Sequence, residues 1–262
     1  PAKSLLPIIG ANLWYTPITT ANSDLDQDVK VALKLLAEWN GEMNEHLPEP
    51  LIFYSWMQNL QERLIQDELG VLSQEFSNFD PIFLERVFRN IEGASVWCDI
   101  VQSVPLESCE KAAEVALYDA VSELKDIYKI DIASLRWGDA HIAMHDHLTL
   151  GHIPVLNLLI NLRQSVSGGD FTLQRGLSSG DPYYPFENVH AAVYRGVYDF
   201  SDPDSSLYVI STGQSGHLFS RHYDDLGQLW RRGEYITMSL DPDLARAAST
   251  GTTKIIPASK LQ

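Results

Sequence analysis

Gly213-Gln214-Ser215-Gly216, followed by Ser220-Arg221-His222-Tyr223-Asp224-Asp225 and then by Leu229-Trp230-Arg231-Arg232-Gly233, is the stretch that decides the fold of this chain. Its glycines permit a tight backbone bend at the end of a strand. Gln214, His222, Tyr223 and Asp224 are then expected to donate and accept the hydrogen bonds that fix the bend. Ser215, His222 and Asp224 are also the residue types of a Ser-His-Asp triad, which would make the chain a self-sufficient serine hydrolase. Triads are recognised by geometry rather than by sequence order, and no Gly-x-Ser-x-Gly elbow surrounds Ser215, so the bend takes precedence.

Outward from that stretch, further blocks follow one another in order. Leu35-Leu36-Ala37-Glu38-Trp39-Asn40-Gly41 comes first, then Trp137-Gly138-Asp139-Ala140-His141, Ser167-Gly168-Gly169-Asp170 and Tyr194-Arg195-Gly196-Val197-Tyr198-Asp199. Together with the 213–233 block, which includes Trp230, they resemble the penicillin acylase family of N-terminal nucleophile hydrolases across nearly the whole chain. Asn40 stands where that family usually carries Asp. The last block is similar to one near the end of the family's large β chain.

The resemblance implies an α+β fold, part of an αββα sandwich with a helical first half followed by antiparallel strands. It implies amide hydrolysis through an acyl-enzyme on a Ser that is the first residue of the β chain. The freed α-amino group of that Ser titrates near neutrality and is the base for its own hydroxyl. Pro1 has neither hydroxyl nor thiol. The family's oxyanion-hole Asn and its calcium ligands lie in segments earlier than those matched here. The expectation is therefore a C-terminal piece of the β chain spanning 1–262, with no catalytic residue and no metal or cofactor of its own. The nucleophile, the oxyanion Asn and the calcium site would lie upstream, the remaining α and β segments would be its partners, and a small amide would be the substrate of the complete enzyme. Gly213, Gln214, Ser215, Gly216, His222, Tyr223, Asp224 and Trp230 would be supporting structure for that site. Two weaker alternatives are a Pro1 amine acting as base, as in some tautomerases, and a non-catalytic binding or scaffold module of the same fold. The opening Pro1-Ala2-Lys3-Ser4-Leu5-Leu6-Pro7-Ile8-Ile9-Gly10 reads as the middle of an apolar element and lacks the charged start of a signal peptide.

Composition points the same way. With 262 residues, 45% of them apolar, the chain can bury a substantial core, and no apolar run approaches the roughly 20 residues of a membrane-spanning helix. No membrane partner is therefore expected, and a formal charge of −16 repels phosphate backbones, so nucleic acid is not an expected partner either.

Periodicity divides the chain into a mainly helical part, 1–129, and a part of strands and loops, 130–262. Leu25, Val29, Ala32, Leu33 and Leu36 recur at helical spacing after Ser23-Asp24, with Gly41 as the stop. A second helix begins at Pro50 or Leu51, carries Phe53, Trp56, Met57, Leu60, Leu64 and Ile65 on one stripe, and ends near Gly70. A third follows Asp80-Pro81, and a long one runs from Glu107 to Tyr128 with small residues for close packing. The aromatic stripes fit core packing better than a pocket for an acyl chain. Segments 191–198 and 206–211 are rich in β-branched and aromatic residues, and Asp202-Pro203-Asp204 between them signals a turn.

His141, His145, His147 and His152 raise a metal reading, because His141 and His145 would share a helical face. The segment has no Glu at zincin spacing, so structural or surface histidines are favoured. Cys98 and Cys109 lack metal or redox spacing and read on their own as two buried thiols. The resemblance implies instead a Cys98–Cys109 disulfide, since a Trp-Cys-Asp…Cys pattern recurs among the family and the family is largely exported. It thereby implies a periplasmic or secreted location. Pro105, between the two cysteines, is expected to help hold their ends together.

Overall fold

In the computed structural model, residues 1–11, 13, 23–76, 78–101, 104, 106–181 and 183–256 are described. They fall into two compact units, Pro1–Ala191 and Ala192–Gln262. Among the described residues no helix is long and apolar enough to cross a membrane.

The first unit is organised around helices α1 (Ala2–Ile9), α2 (Ser23–Glu38), α3 (Glu49–Leu69), α4 (Pro81–Phe88) and α5 (Cys109–Tyr128). Asp24 and Asp26 in the first turn of α2 suit its positive end, and Val29, Ala32, Leu33 and Leu36 face the core. The helix ends at Glu38, before the Gly41 expected to stop it. The side chain of Asn40 accepts from the Glu42 amide at 2.8 Å and turns the chain early.

Helix α3 departs from the one-sided stripe expected of it. Pro50 through Met57 are buried without interruption, so its first half is enclosed on every side. The side chains Leu51, Ile52, Phe53 and Tyr54 meet different neighbours around that circumference. Helix α5 is the main one: Ala112, Ala113, Ala116 and Ala120 offer no bulk, and the buried indole of Trp56 donates to the Ala113 carbonyl at 2.9 Å. Helix α2 is tied in by Tyr118, whose hydroxyl donates to the buried Asp26 carboxylate at 2.8 Å. Helix α4 starts where Asp80 caps it, accepting from Ile82 at 2.8 Å and Phe83 at 3.3 Å, with Pro81 at the position where a missing amide costs nothing.

Helix α5 begins at Cys109 rather than Glu107, because the Ser108 side chain caps it by accepting from Lys111 at 3.2 Å. Cys109 is disulfide-bonded to Cys98, their Cα atoms 4.9 Å apart. Glu107 and Asp99 reinforce that closure: the Glu107 amide donates to Asp99 at 3.1 Å and its carboxylate accepts from the Ile100 amide at 3.2 Å. Pro105 lies outside the described residues. Closing a loop of sequence separation 11 is worth about 3 kcal/mol in chain entropy. Replacing both cysteines by serine is therefore expected to lower the unfolding free energy by about that amount, read from urea titrations. Intact mass after alkylation without reductant should show both thiols unavailable.

Beyond α5 come a one-turn helix α6 (Trp137–Ala140), strand β1 (Ile142–His145), a short helix α7 (Asn157–Ile160), and strands β2 (Leu162–Ser165), β3 (Gly176–Ser178) and β4 (Asn188–Ala191). They form one sheet in the order β2-β1-β4-β3. Strand β1 runs antiparallel to β2 and parallel to β4, and β3 pairs antiparallel with β4 across an irregularity at Leu177/Ser178.

The second unit holds strands β5 (Tyr194–Val197), β6 (Ser206–Ile210) and β7 (Ile236–Met238) in an antiparallel meander, with helices α8 (Gly227–Arg232) and α9 (Pro242–Ala248). The pairing of β5 with β6 is the antiparallel neighbourhood expected from their composition. The expected single segment 191–198 is instead divided: Ala191 ends β4 and Tyr194 opens β5. The carbonyl of Ala192 is taken by the Trp230 indole at 2.9 Å rather than by a strand, which breaks the ladder there. Between β5 and β6, the Asp199 carboxylate accepts from the Ser201 amide at 2.9 Å and from the Asp202 amide at 3.2 Å, building the turn that Asp202-Pro203-Asp204 signals.

Candidate functional site

Two motif blocks of the first unit, 137–141 and 167–170, meet at one buried polar centre. Trp137, at the start of α6, is fully buried, and its indole donates to the Gly168 carbonyl at 2.7 Å. Its ring stacks on His141 with centroids 4.4 Å apart and planes 16° from parallel. The Nδ1 of His141 lies 2.7 Å from the Phe186 carbonyl. A carbonyl only accepts, so Nδ1 carries the proton and Nε2 is left as an acceptor. That Nε2 is buried without a partner, as is Oδ1 of Asn188. Burial pulls the His141 pKa down to about 4, against the smaller opposing effect of the Phe186 hydrogen bond, so the ring is neutral at physiological pH.

The Ser167-Gly168-Gly169-Asp170 block crosses this centre. The Gly168 amide donates to the Met43 carbonyl at 2.7 Å, and the Ser167 hydroxyl accepts from the Glu45 amide at 3.0 Å. Gly168 holds φ +94°, and a Cβ there would lie 2.0 Å from the Gln174 carbonyl oxygen. Asp170 receives the Ser178 amide at 3.2 Å and the Ser178 hydroxyl at 3.1 Å, and also binds the Tyr54 hydroxyl of α3. Desolvation raises the Asp170 pKa, opposed by these hydrogen bonds. Burial and the neighbouring Asp170 push the Tyr54 phenol far up, so it remains a donor.

The histidine-rich segment does not form the helical face considered for it. His141 follows the single turn of α6, and His145 closes strand β1, so extended backbone separates them. The Nδ1 of His147 accepts from the Leu150 amide at 3.1 Å in a turn. Among the described residues no group of three or more His, Cys, Asp or Glu could hold a metal ion.

In the second unit the 213–225 loop is drawn together by backbone contacts. The Ser215 amide donates to the His222 carbonyl at 2.9 Å, and the Leu226 amide to the Thr212 carbonyl at 3.1 Å. A Cβ on Gly213 would lie 2.1 Å from the His222 carbonyl oxygen, so this glycine is required by close approach. Gly213→Ala is accordingly expected to cost about 1–3 kcal/mol through the backbone shift it forces, measured as a lowered melting temperature, whereas Gly216→Ala, which meets nothing within 4 Å, should be nearly neutral.

The triad arrangement is not assembled. Nδ1 of His222 faces Asp225 at 2.6 Å, not Asp224, and its Nε2 accepts from Arg221 at 2.9 Å. The Ser215 hydroxyl instead accepts from the His217 amide at 3.1 Å. Turn geometry chose the acid: residues three apart meet across this bend. Gln214 and Gly216 are exposed. The backbones of Tyr223 and Asp224 help close the turn, the Tyr223 amide donating to Ser220 at 3.1 Å and the Asp224 carbonyl accepting from Gly227 at 3.3 Å. Trp230 is buried, with the Arg195 guanidinium 5.2 Å from its ring centroid and donating to its carbonyl.

The residues that sequence reasoning missed are Tyr54, Ser178, Phe186 and Asn188, which sit outside the blocks in apolar or strand segments. Only the Asp of Gly168-Gly169-Asp170, a charge in a glycine-rich bend, signalled a buried polar partner.

The mixed α+β fold with antiparallel strands resembles that of a solved penicillin acylase. The solved thermostable penicillin G acylase from Alcaligenes faecalis shares it with a TM-score of 0.50 over 98% of this chain and 46% of that one, at 16% identity. The family model for penicillin amidase matches residues 1–247, and the chain belongs to the penicillin amidase family. It is 28% identical over 143 residues to the penicillin acylase 2 proenzyme of Pseudomonas sp. (strain SE83), a match covering 53% of this chain and 18% of that proenzyme. The chain thus spans under a fifth of the curated relative it matches.

Proposed function

We propose that this chain is the C-terminal part of the β chain of a penicillin acylase-like amidohydrolase whose nucleophilic N-terminal Ser lies outside it. The observation that carries this reading is the use to which the motif blocks are put. His141, Asp170, Gly168 and the 213–225 loop are engaged in hydrogen bonds that tie one segment to another, and the Ser215 and His222 side chains turn to His217 and Asp225 rather than to each other. In the complete enzyme such residues position the sheets, while the Ser outside the chain attacks an amide carbonyl, forms an acyl-enzyme as the C–N bond breaks and the protonated amine leaves, and is regenerated when water hydrolyses the ester to the acid.

The partners in this reading are the remaining α and β segments, with a small amide as substrate. Val104, Leu106, Leu173, Phe200 and Phe219 stand exposed, and large apolar side chains in such numbers suit a surface covered by companion segments. The disulfide fits an oxidising compartment, the periplasm or beyond. The family's calcium has no fitting cluster among the described residues, so no step here runs through it.

Assays of the chain alone, and of the chain produced together with its companion segments, test the proposal. Penicillin G and a chromogenic anilide should be turned over only by the assembled protein, and Ser215→Ala should leave that rate unchanged. Turnover by the chain alone that Ser215→Ala abolishes would overturn it. An assembled protein that binds amides without cleaving them would favour a scaffold of the same fold.

A further inference from the structure

Between the end of α2 and the start of α3 stands Asn40-Gly41, the only Asn-Gly step in the chain. Asn40 is exposed, and its side-chain amide is held at both of its atoms. One atom lies 2.8 Å from the backbone amide of Glu42, which only donates, so that atom is the oxygen Oδ1. The other lies 3.4 Å from a carboxylate oxygen of Glu42, which only accepts, so it is the nitrogen Nδ2. Gly41 holds φ +81°, and its own amide donates to no acceptor among the described residues. Without a Cβ on Gly41, the path from its nitrogen to the side chain of Asn40 is open.

These features stand where a ring closure needs them. When the Gly41 nitrogen attacks Cγ of Asn40, negative charge develops on Oδ1, at which the Glu42 N–H is already aimed. The N–Cγ bond forms, the proton on the Gly41 nitrogen passes to water and is returned on Nδ2, the Cγ–Nδ2 bond breaks and ammonia leaves. A cyclic imide joins residues 40 and 41. Water then opens the ring: addition at Cγ restores the ordinary main chain with Asp at position 40, and addition at the backbone carbonyl carbon leaves isoaspartate. Water is the only co-reactant, and nothing is oxidised or reduced. We infer that Asn40 is a modification site, at which the folded turn promotes deamidation through an imide with Gly41.

The consequence is local and electrostatic. Asn40 and Gly41 line an open groove of about 710 Å³, together with Leu6, Pro7, Leu36 and the charged Lys3. A Cβ on Gly41 would lie 3.0 Å from Cγ of Lys3, so the lysine runs directly past this step. Deamidation adds a carboxylate to a groove whose other charge is positive. Asp at position 40 still accepts from the Glu42 amide, so the turn after α2 survives that product. Isoaspartate instead lengthens the main chain by a methylene and displaces the turn. The inference stands on this turn alone and does not depend on the amidohydrolase reading.

The test is incubation of the full chain in mildly alkaline buffer made with water carrying a heavy oxygen isotope, sampled over days by peptide mapping. Expected are one ammonia released per chain, one heavy oxygen gained in the peptide that holds residue 40, and both Asp and isoaspartate at that position. The other described asparagines should stay intact over the same period. Conversion in the native chain is expected to be at least as fast as in the chain unfolded in urea, because only the folded turn fixes the Glu42 donor. Gly41→Ala should slow conversion roughly tenfold or more, since its Cβ crowds the attack. Should that variant fail to fold, the product ratio and the comparison of native with unfolded chain decide. Asp formed without isoaspartate, an amide at residue 40 that outlasts the one in the unfolded chain, or conversion spread evenly over several asparagines would overturn the site.

Discussion

Trp137→Ala is expected to destabilise the protein by about 3–5 kcal/mol, the range for removing a large aromatic from a closed core. Trp137 is fully buried, stacked on His141 and tilted against Tyr54 with centroids 5.7 Å apart. Its indole N–H is also the tie between the 137–141 block and the Gly168 carbonyl. Trp137→Phe separates the two contributions: it keeps most of the packing and leaves the Gly168 carbonyl unpaired, at about 1–3 kcal/mol. Denaturant titrations of the two variants should therefore differ clearly. Near-equality would mean that the hydrogen bond, and not the ring, dominates. With total stabilities of about 5–15 kcal/mol common, Trp137→Ala is the substitution expected to remove folded protein from expression cultures.

Acidification between pH 6.5 and 4 is expected to weaken the fold through His141. Its folded pKa of about 4 lies below the ordinary 6.5, so across that interval the unfolded chain holds more protons than the folded one. Stability contributed by the neutral ring is present above pH 6.5, falls as the pH drops, and is spent near pH 4. At about 1.4 kcal/mol per pH unit, the full loss is on the order of 3.5 kcal/mol. His145, also lowered chiefly by burial, acts in the same direction, whereas Asp170, raised by desolvation, acts in the opposite one. His141→Gln isolates the effect, because glutamine can still donate to Phe186 but does not titrate. The variant should be less stable at neutral pH yet show a flatter dependence from pH 6.5 to 4, and an unchanged slope would remove His141 from the account.

Much of the helical half was legible because its signals are local. Asp80-Pro81 marks the start of α4, and the spacing of Val29, Ala32, Leu33 and Leu36 marks the buried face of α2. Strands β5 and β6 were visible in β-branched and aromatic composition, and the ordered blocks carried the family. What escaped is decided at long range. Tyr54 and Asp170 meet across more than half the first unit, and nothing in the apolar run of α3 distinguishes the one hydroxyl that would find a carboxylate. The identity of the acid beside His222, Asp225 rather than Asp224, rests on a one-residue difference that only the turn settles. The split at Ala191 depends on an indole from far downstream capturing a carbonyl that alternation assigns to a strand.

The enclosure of α3 has a consequence for biosynthesis. Its buried stretch Pro50–Met57 finds its chief neighbour in α5, which begins only at Cys109. At roughly 5–20 residues per second of translation, α3 waits several seconds beyond the ribosome before that surface arrives. During this interval the stretch Pro50–Met57 lacks the neighbour that covers it in the folded chain. Newly made chains should therefore load onto chaperones while α3 is out and α5 is not, and ribosome profiling of chaperone-bound nascent chains would place the onset of that engagement between them.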